Sequence, residues 1–233
     1  MKLLAVDTSG PVCGVAVMDG DKVLSEMISQ NRYTHSASLM PMVEQSLRSA
    51  GVTLAEMDAL AVVTGPGSFT GVRIGVATVK GLAHGSGKPC VPVDALEALA
   101  RSACPGWGEI PVCPMQDARA GQVYAAAFRK DERLMDNAPL KLEDCLERLR
   151  TLDDGNWLFT GDGAAVHRER IQEILGDKAV FAEGDFACLR PSAVGLLAQE
   201  KGSPTDYLTL RETYLRPPNA EKNKKLLEAM RHG

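Results

Sequence analysis

Apolar and polar positions along this chain switch between two periods. Leu3 to Val6, Val12 to Met18 and Lys22 to Ile28 are short apolar or alternating runs, and Asp19-Gly20-Asp21 is a hairpin turn between the last two, so all three runs are predicted strands. After a polar loop from Ser29 to Thr34, the spacing becomes helical. Leu39, Met40, Met42, Val43 and Leu47 make a wide apolar face over Ser36 to Ala50, and Gly51 ends that helix. Ala59 to Thr64 is a β-branched apolar run of the kind buried in a sheet. Gly65-Pro66-Gly67 breaks it, and Ser68 and Thr70 offer caps to the helix that follows. Along that helix, to His84, Val72, Val76, Val79 and Ala83 share a face, as do Ile74 and Thr78, while Gly71 and Gly75 lie four apart. Cys90 to Val93 is a further strand and Asp94 to Ser102 a short helix capped by Asp94.

Three strands followed by two strand–helix units describe a mixed sheet with helices on its faces. This α/β order is that of the actin-like, ribonuclease-H-like (ASKHA) fold, in which the loop between the first two strands cradles phosphate. The pattern breaks near Ser102 to Gly108 and a second set begins. Ile110 to Met115 and Gln122 to Phe128 are predicted strands around the turn Asp117-Ala118-Arg119-Ala120-Gly121. Leu140 to Leu149 reads as a helix, Asn156 to Thr160 as a strand ending in Gly161-Asp162-Gly163, and Ala164 to Leu175 and Ser192 to Glu200 as helices. Tyr214-Leu215-Arg216 is a candidate short strand. The sequence therefore predicts a tandem duplication with a reduced second half: a first domain over 1–102, completed by 206–233, and a second over 103–205.

A chain of 233 residues has apolar content enough for such a core. Its net charge of −4 makes it a poor stand-alone nucleic-acid binder. From Arg211 on the balance reverses, with Arg211, Arg216, Lys222, Lys224, Lys225 and Arg231 against Glu212, Glu221 and Glu228, either a solvated terminus or a contact for RNA or a partner. Six scattered cysteines without a C-x-x-C pair imply reduced thiols. No apolar run is long enough to span a bilayer and the N-terminus is no signal peptide, so no membrane partner and a cytoplasmic location are expected.

Familiar motifs fail on spacing. Gly81 to Lys88 approaches a P-loop, but five residues separate Gly81 from Gly87 and Pro89 stands where the hydroxyl should be. Gly67-Ser68-Phe69-Thr70-Gly71 lacks the residue that a nucleophile elbow has between its first glycine and the serine. The four histidines, 35, 84, 167 and 232, are too dispersed to predict a metal site. Asp7-Thr8-Ser9 is either a plain turn or a carboxylate and two hydroxyls able to face Mg²⁺ and phosphate. Asp162 between two glycines poses the same choice. Asp117 and Arg119 are a surface ion pair or cleft contacts, and His35 a helix-start residue or a cleft contact.

Taken in order, Leu4-Ala5-Val6-Asp7-Thr8-Ser9, Thr34-His35-Ser36, Gly65-Pro66-Gly67-Ser68-Phe69-Thr70-Gly71-Val72-Arg73-Ile74-Gly75, Asp117-Ala118-Arg119 with Val123-Tyr124-Ala125, Gly161-Asp162-Gly163 and Tyr214-Leu215-Arg216 closely resemble the bacterial TsaB (YeaZ) family. The match spans nearly the whole chain, and its Gly65 to Gly75 run is specific. The resemblance implies a role in forming threonylcarbamoyladenosine in tRNA. It implies as partners the catalytic paralogue TsaD, the ATPase TsaE through the complex, a second copy of the chain, and tRNA only within the complex. It also implies Asp7, Thr8 and Ser9 as a vestigial phosphate loop, with no tightly bound cofactor and at most weak ATP or ADP with Mg²⁺ at a shared interface.

In TsaD-type sequences the strand after the Gly-Pro-Gly helix leads into Asn-His-x-x-x-His. Here Ala95 and Leu99 fill both histidine positions, and neither can donate to a metal. The departure predicts a non-catalytic scaffold subunit, with no catalytic residue and no metal. Physics offers such a subunit a helical interface: the two broad-faced helices could pair with two from a partner through Leu39, Met42, Val43, Gly71, Val72, Ile74, Gly75 and Thr78. The bland alternative is that both faces are buried against the chain's own sheet. His35, Arg73, Asp117 and Arg119 are expected to line the cleft between the halves. The alternative function is an active nucleotide-dependent phosphotransferase or ATPase of the actin-like superfamily.

Overall fold

Two five-stranded mixed sheets, built on one plan, make up the fold in this computed structural model, which describes residues 1–30, 34–103 and 109–216. In the first, β1 (Lys2–Asp7), β2 (Cys13–Asp19) and β3 (Lys22–Ser29) form an antiparallel meander, and β4 (Ala59–Gly65) and β5 (Cys90–Asp94) add in parallel beside β1. The spatial order is β3-β2-β1-β4-β5. The second sheet repeats it with β6 (Val112–Asp117), β7 (Gln122–Arg129), β8 (Glu132–Lys141), β9 (Trp157–Thr160) and β10 (Ala179–Phe181), in the order β8-β7-β6-β9-β10.

The helices follow the same plan. α1 (His35–Ala50), α2 (Phe69–Ser86) and α3 (Ala95–Ala103) belong to the first repeat. α4 (Leu142–Leu152), α5 (Asp162–Val166), α6 (Arg168–Leu175) and α7 (Pro191–Glu200) belong to the second. The actin-like duplication is therefore present, and the second half keeps all five strands but shortens β9 and β10 against β4 and β5, and α4 and α5 against α1 and α2. Three local expectations are corrected. Leu140 and Lys141 end strand β8, so the helix expected over Leu140 to Leu149 starts at Leu142 and runs to Leu152; the expected helix 164–175 is two helices broken at His167, and Tyr214 to Arg216 is not a strand.

Packing explains why α3 is apolar nearly all round. Its Ala95, Ala98 and Leu99 meet the first sheet, while Leu96, Ala100 and Ala103 meet Val112, Ala126 and Phe128 of the second. α7 lies beside it, with Val194, Leu197 and Ala198 in the core of the first sheet. α1 and α2 cover the other face of that sheet, and α4, α5 and α6 the outer face of the second. The expected boundaries at 102/103 and 205/206 thus divide the strands but not the helices: α7 serves the first sheet and α3 serves both.

Past α7 the chain returns along the first half. Thr205 and Cys90 exchange backbone hydrogen bonds of 2.9 and 2.7 Å, Leu210 enters the core under α2, and the Thr213 amide donates to the Thr64 carbonyl at 2.7 Å. The basic residues beyond Arg216, and Cys104, lie outside the described residues. The other five cysteines are free thiols. Among the described residues no helix is long and apolar enough to cross a membrane.

Candidate functional site

β1 of the first sheet and the parallel neighbours β6 and β9 of the second end in turns that line the same cavities between the two halves. The first is Asp7-Thr8-Ser9-Gly10, the second Asp117 to Gly121 and the third Gly161-Asp162-Gly163. Asp7, Thr8 and Ser9 are almost completely buried. Asp7 Oδ1 accepts the Ser9 amide at 2.8 Å, and Thr8 Oγ1 donates to the Gly71 carbonyl at 2.7 Å. His35 Nε2 donates to the Gly10 carbonyl at 2.9 Å, so the start of α1 braces the same turn. Across the gap, Gln116 Nε2 reaches Ser9 Oγ at 3.4 Å, joining the halves. Asp162 Oδ2 accepts the Asp117 amide at 3.4 Å.

Two cavities meet at this turn, with Ser9, Gly10, Pro11 and Asp162 in the walls of both. The larger, about 800 Å³, reaches Asp7, Gln116, Leu99 and the approach to α7 at Arg190. Several polar atoms here are buried without a partner: Asp7 Oδ2, Gln116 Oε1 and Arg190 Nε. Burial raises the Asp7 carboxyl to about 6 against the hydrogen bonds from Ser9 and the charge of His35, which act to lower it. Burial also raises Asp162, and the neighbouring Asp117 adds to that. An unpartnered buried carboxylate oxygen beside a roomy cavity fits a cation–phosphate group. The turn's own backbone fits less well. Its amide donors are already used: Ser9 N–H by Asp7 Oδ1, and Ser68 N–H by the Ser9 carbonyl at 2.7 Å, from which a Cβ on Gly67 would stand 2.4 Å.

The smaller cavity, about 570 Å³, opens between the N-terminus of α2, the β6–β7 turn and residues 213–216. Arg119 and Ala120 are held at φ 63° and 52°, a conformation uncommon for residues with a side chain. The Asp117 carboxylate fixes it by accepting the Arg119 amide at 2.8 Å. Arg73 lies over the Phe69 ring at 3.8 Å and donates from Nε to the Tyr214 hydroxyl at 2.8 Å. Arg216 lies 5.9 Å over Tyr124 and is hydrogen-bonded to Gln122. His35, Arg73, Asp117 and Arg119 therefore sit around one junction. Sequence reasoning gave no part to Gln116, Glu26 or Arg190. Gln116 was within reach, since it precedes Asp117 at a strand end, but Arg190 has no local signal.

Residues 22–205 match the family model described as "TsaD: tRNA N6-adenosine threonylcarbamoyltransferase". The chain is 34% identical over 222 residues to a Bacillus subtilis protein named tRNA threonylcarbamoyladenosine biosynthesis protein TsaB, covering 91% of this chain and 96% of that one. It is 37% identical over 202 residues to the Escherichia coli protein of the same name, covering 84% of each. The solved structure of YeaZ from Pseudomonas aeruginosa superposes with a TM-score of 0.76 at 30% identity, over 92% of this chain and 99% of that one. The chain belongs to the TsaB family.

Two features bear on what a TsaB-family chain does with this site. Ala95 and Leu99 are buried in the core between α3 and the first sheet, and Leu99 also lines the larger cavity. Among the described residues no three His, Cys, Asp or Glu side chains are grouped so as to hold a metal ion. The helical interface needs a larger correction. Leu39, Val43, Gly71, Val72 and Gly75 lie buried in the chain's own core, so they face the first sheet and not a partner. A Cβ on Gly71 would stand 2.1 Å from the Thr8 carbonyl oxygen, and one on Gly75 2.5 Å from Thr8 Oγ1. The close approach these glycines permit is to β1. Met42, Ile74 and Thr78 remain half-buried, and Ala77 and Gly81 stand fully outward on α2.

Proposed function

We propose that this chain is a non-catalytic subunit that binds the TsaD paralogue and positions it for threonylcarbamoyl transfer. Membership of the TsaB family gives it a role in tRNA threonylcarbamoyladenosine biosynthesis. The observation that carries the finer reading is the pair Ala95 and Leu99. They stand where the transferase paralogue has two histidines, and their side chains pack in the core. An alkyl side chain offers no lone pair to a metal. The partner surface is the outer stripe of α2 with the adjoining edge of α1: Ala77, Gly81, Ile74, Thr78 and Met42. TsaE joins through the complex, and a second copy of the chain competes for the same stripe. Purified chain mixed with the TsaD paralogue of the same cell should co-elute with it, and transfer to tRNA should require both proteins. Transfer by the chain alone overturns the proposal.

One observation favours a second reading, a nucleotide-dependent phosphotransferase. Asp7 Oδ2 is buried, unpartnered and beside an 800 Å³ cavity. On the scaffold reading that pocket takes ATP or ADP with Mg²⁺ only weakly, because two amides a phosphate would need are already spent, Ser9 N–H on Asp7 Oδ1 and Ser68 N–H on the Ser9 carbonyl. Calorimetry with ATP and Mg²⁺ separates the two: tight binding with steady hydrolysis by the isolated chain supports the phosphotransferase.

A further inference from the structure

We propose that the smaller cavity is a docking groove for an unpaired RNA strand, with phosphates on its arginine rim and a base on its aromatic wall. Arg119 and Arg216 line the groove and Arg73 lies against its lining residues Phe69 and Tyr214; among the described residues none of the three forms an ion pair with a carboxylate. Arg73 is held by Phe69 and the Tyr214 hydroxyl, and Arg216 by Tyr124 and Gln122. Arg119, exposed, has no side-chain hydrogen bond or ion pair among the described residues. Its backbone is nevertheless kept in the left-handed region by the Asp117 carboxylate, so the turn is shaped to present it. Arg170, by contrast, pairs with Glu143 and Glu173, and Arg101 with Asp131 and Glu200.

Aromatic rings interleave with these cations. Phe69 and Tyr214 stack at 5.1 Å, and Tyr124 stands on the opposite wall. Alternating guanidinium and ring faces are what an unpaired strand needs: charge along the backbone and a platform for each base. Two carboxylates in the lining weigh against a free polyphosphate. Asp117 and Asp162 line the groove, and carboxylates repel phosphate but accept hydrogen bonds from the amino group of adenine or cytosine. A strand satisfies both ends at once, with the base inward and the phosphates outward. The pathway reading of the preceding subsection contributes only tRNA as the source of the strand, and the test below uses the chain alone, so its failure leaves partner binding to TsaD untouched.

Fluorescence polarisation tests this with labelled oligoadenylate and oligocytidylate, each unpaired or annealed to its complement, with ATP as competitor. The unpaired strands should bind more tightly than the duplexes, with affinity falling as salt rises. Arg119→Ala should weaken binding about tenfold and flatten the salt slope by about one, with an unchanged melting temperature, since its side chain has no partner to lose. Tyr124→Leu should weaken the unpaired strands by about tenfold and leave duplex binding alone. Absence of binding at low salt overturns the proposal, as does equal affinity for duplex. Displacement by ATP at concentrations below the RNA's own assigns the groove to free nucleotide. Binding insensitive to Arg119→Ala but lost on replacing Lys222, Lys224 and Lys225 by Gln assigns the RNA to the tail instead.

Discussion

Thr8 Oγ1 donates to the carbonyl of Gly71 at 2.7 Å, and that bond draws the first turn of α2 onto the end of β1. The approach leaves no room for a side chain at 71, where a Cβ would meet the Thr8 carbonyl oxygen at 2.1 Å. Replacing a helix-interior glycine by alanine ordinarily gains up to about 1 kcal/mol. Here the clash is with backbone, so Gly71→Ala should cost about 1–3 kcal/mol, measured by urea denaturation. Gly85→Ala is the control. Nothing lies within 4 Å of its added Cβ, and it should be neutral or stabilising by up to about 1 kcal/mol. Two changes of equal sign would show that Gly71 is not pressed against β1.

Burial raises the Asp7 carboxyl from 3.8 to about 6. The folded state therefore holds its proton where the unfolded chain has lost it. The sign follows: the contribution to stability is fully present below about pH 4, falls as pH rises, and is gone above about pH 6. Asp7→Asn keeps an acceptor for the Ser9 amide and removes the charge. It should match the parent near pH 4 and exceed it by about 3 kcal/mol near pH 7, an order-of-magnitude figure from the shift. Denaturation midpoints across pH 4 to 7.5 test this, and parallel curves for the two proteins refute it.

The order of strands and helices in the first half was readable because each element carries a clean period and a turn or cap at its end. β8 was not. It is an edge strand whose Asp136, Asn137 and Pro139 break the alternation, which an edge tolerates because one side has no ladder to lose. β10 is three residues long, too short for any period. The faces of α2 show a deeper limit. Spacing put Gly71 and Gly75 on one face and Val72 with Val76, Val79 and Ala83 on another, but either suits a partner helix or the chain's own sheet, and only β1 lying under them decides. The cleft was half legible: strand-end turns announced Asp7, Asp117 and Asp162, whereas Arg190 reaches the junction from 183 residues away with nothing local to mark it.

Glu26 on β3 holds the start of α7. Its Oε1 accepts the Ser192 amide at 2.8 Å, and Oε2 pairs with the Arg190 guanidinium. Burial pushes this carboxyl up, but the Arg190 and Ser192 hydrogen bonds outweigh it and leave it below the usual value. Its contribution is thus present at neutral pH and lost as pH falls through the lowered value. Glu26→Gln leaves the guanidinium without its counter-charge and should cost about 1–3 kcal/mol at pH 7. Because α7 serves the first sheet, hydrogen exchange should quicken in α7 and β3 before it does in the second sheet. Uniform quickening, or none, would show that the pair does not anchor α7.

The partner surface can be separated from the core by charge. Ala77 is exposed at the middle of α2, a full half-turn from the buried Val76 and Val79 side, so a long polar side chain there has solvent to enter. Ala77→Glu should leave the melting temperature within about 1–2 °C of the parent, as surface substitutions do. If α2 meets another helix across its outer stripe, the same carboxylate must be desolvated there, with only Arg73 and Lys80 of its own helix within reach, and pairing with TsaD or with a second copy should weaken at least about tenfold. Ile74→Glu is the companion variant. Ile74 is half-buried against the core under α1 and α2, so it should lose both pairing and some stability. Size-exclusion chromatography of each variant, alone and with TsaD, reads the outcome. Undiminished pairing by a folded Ala77→Glu chain would place the interface off the outer stripe of α2.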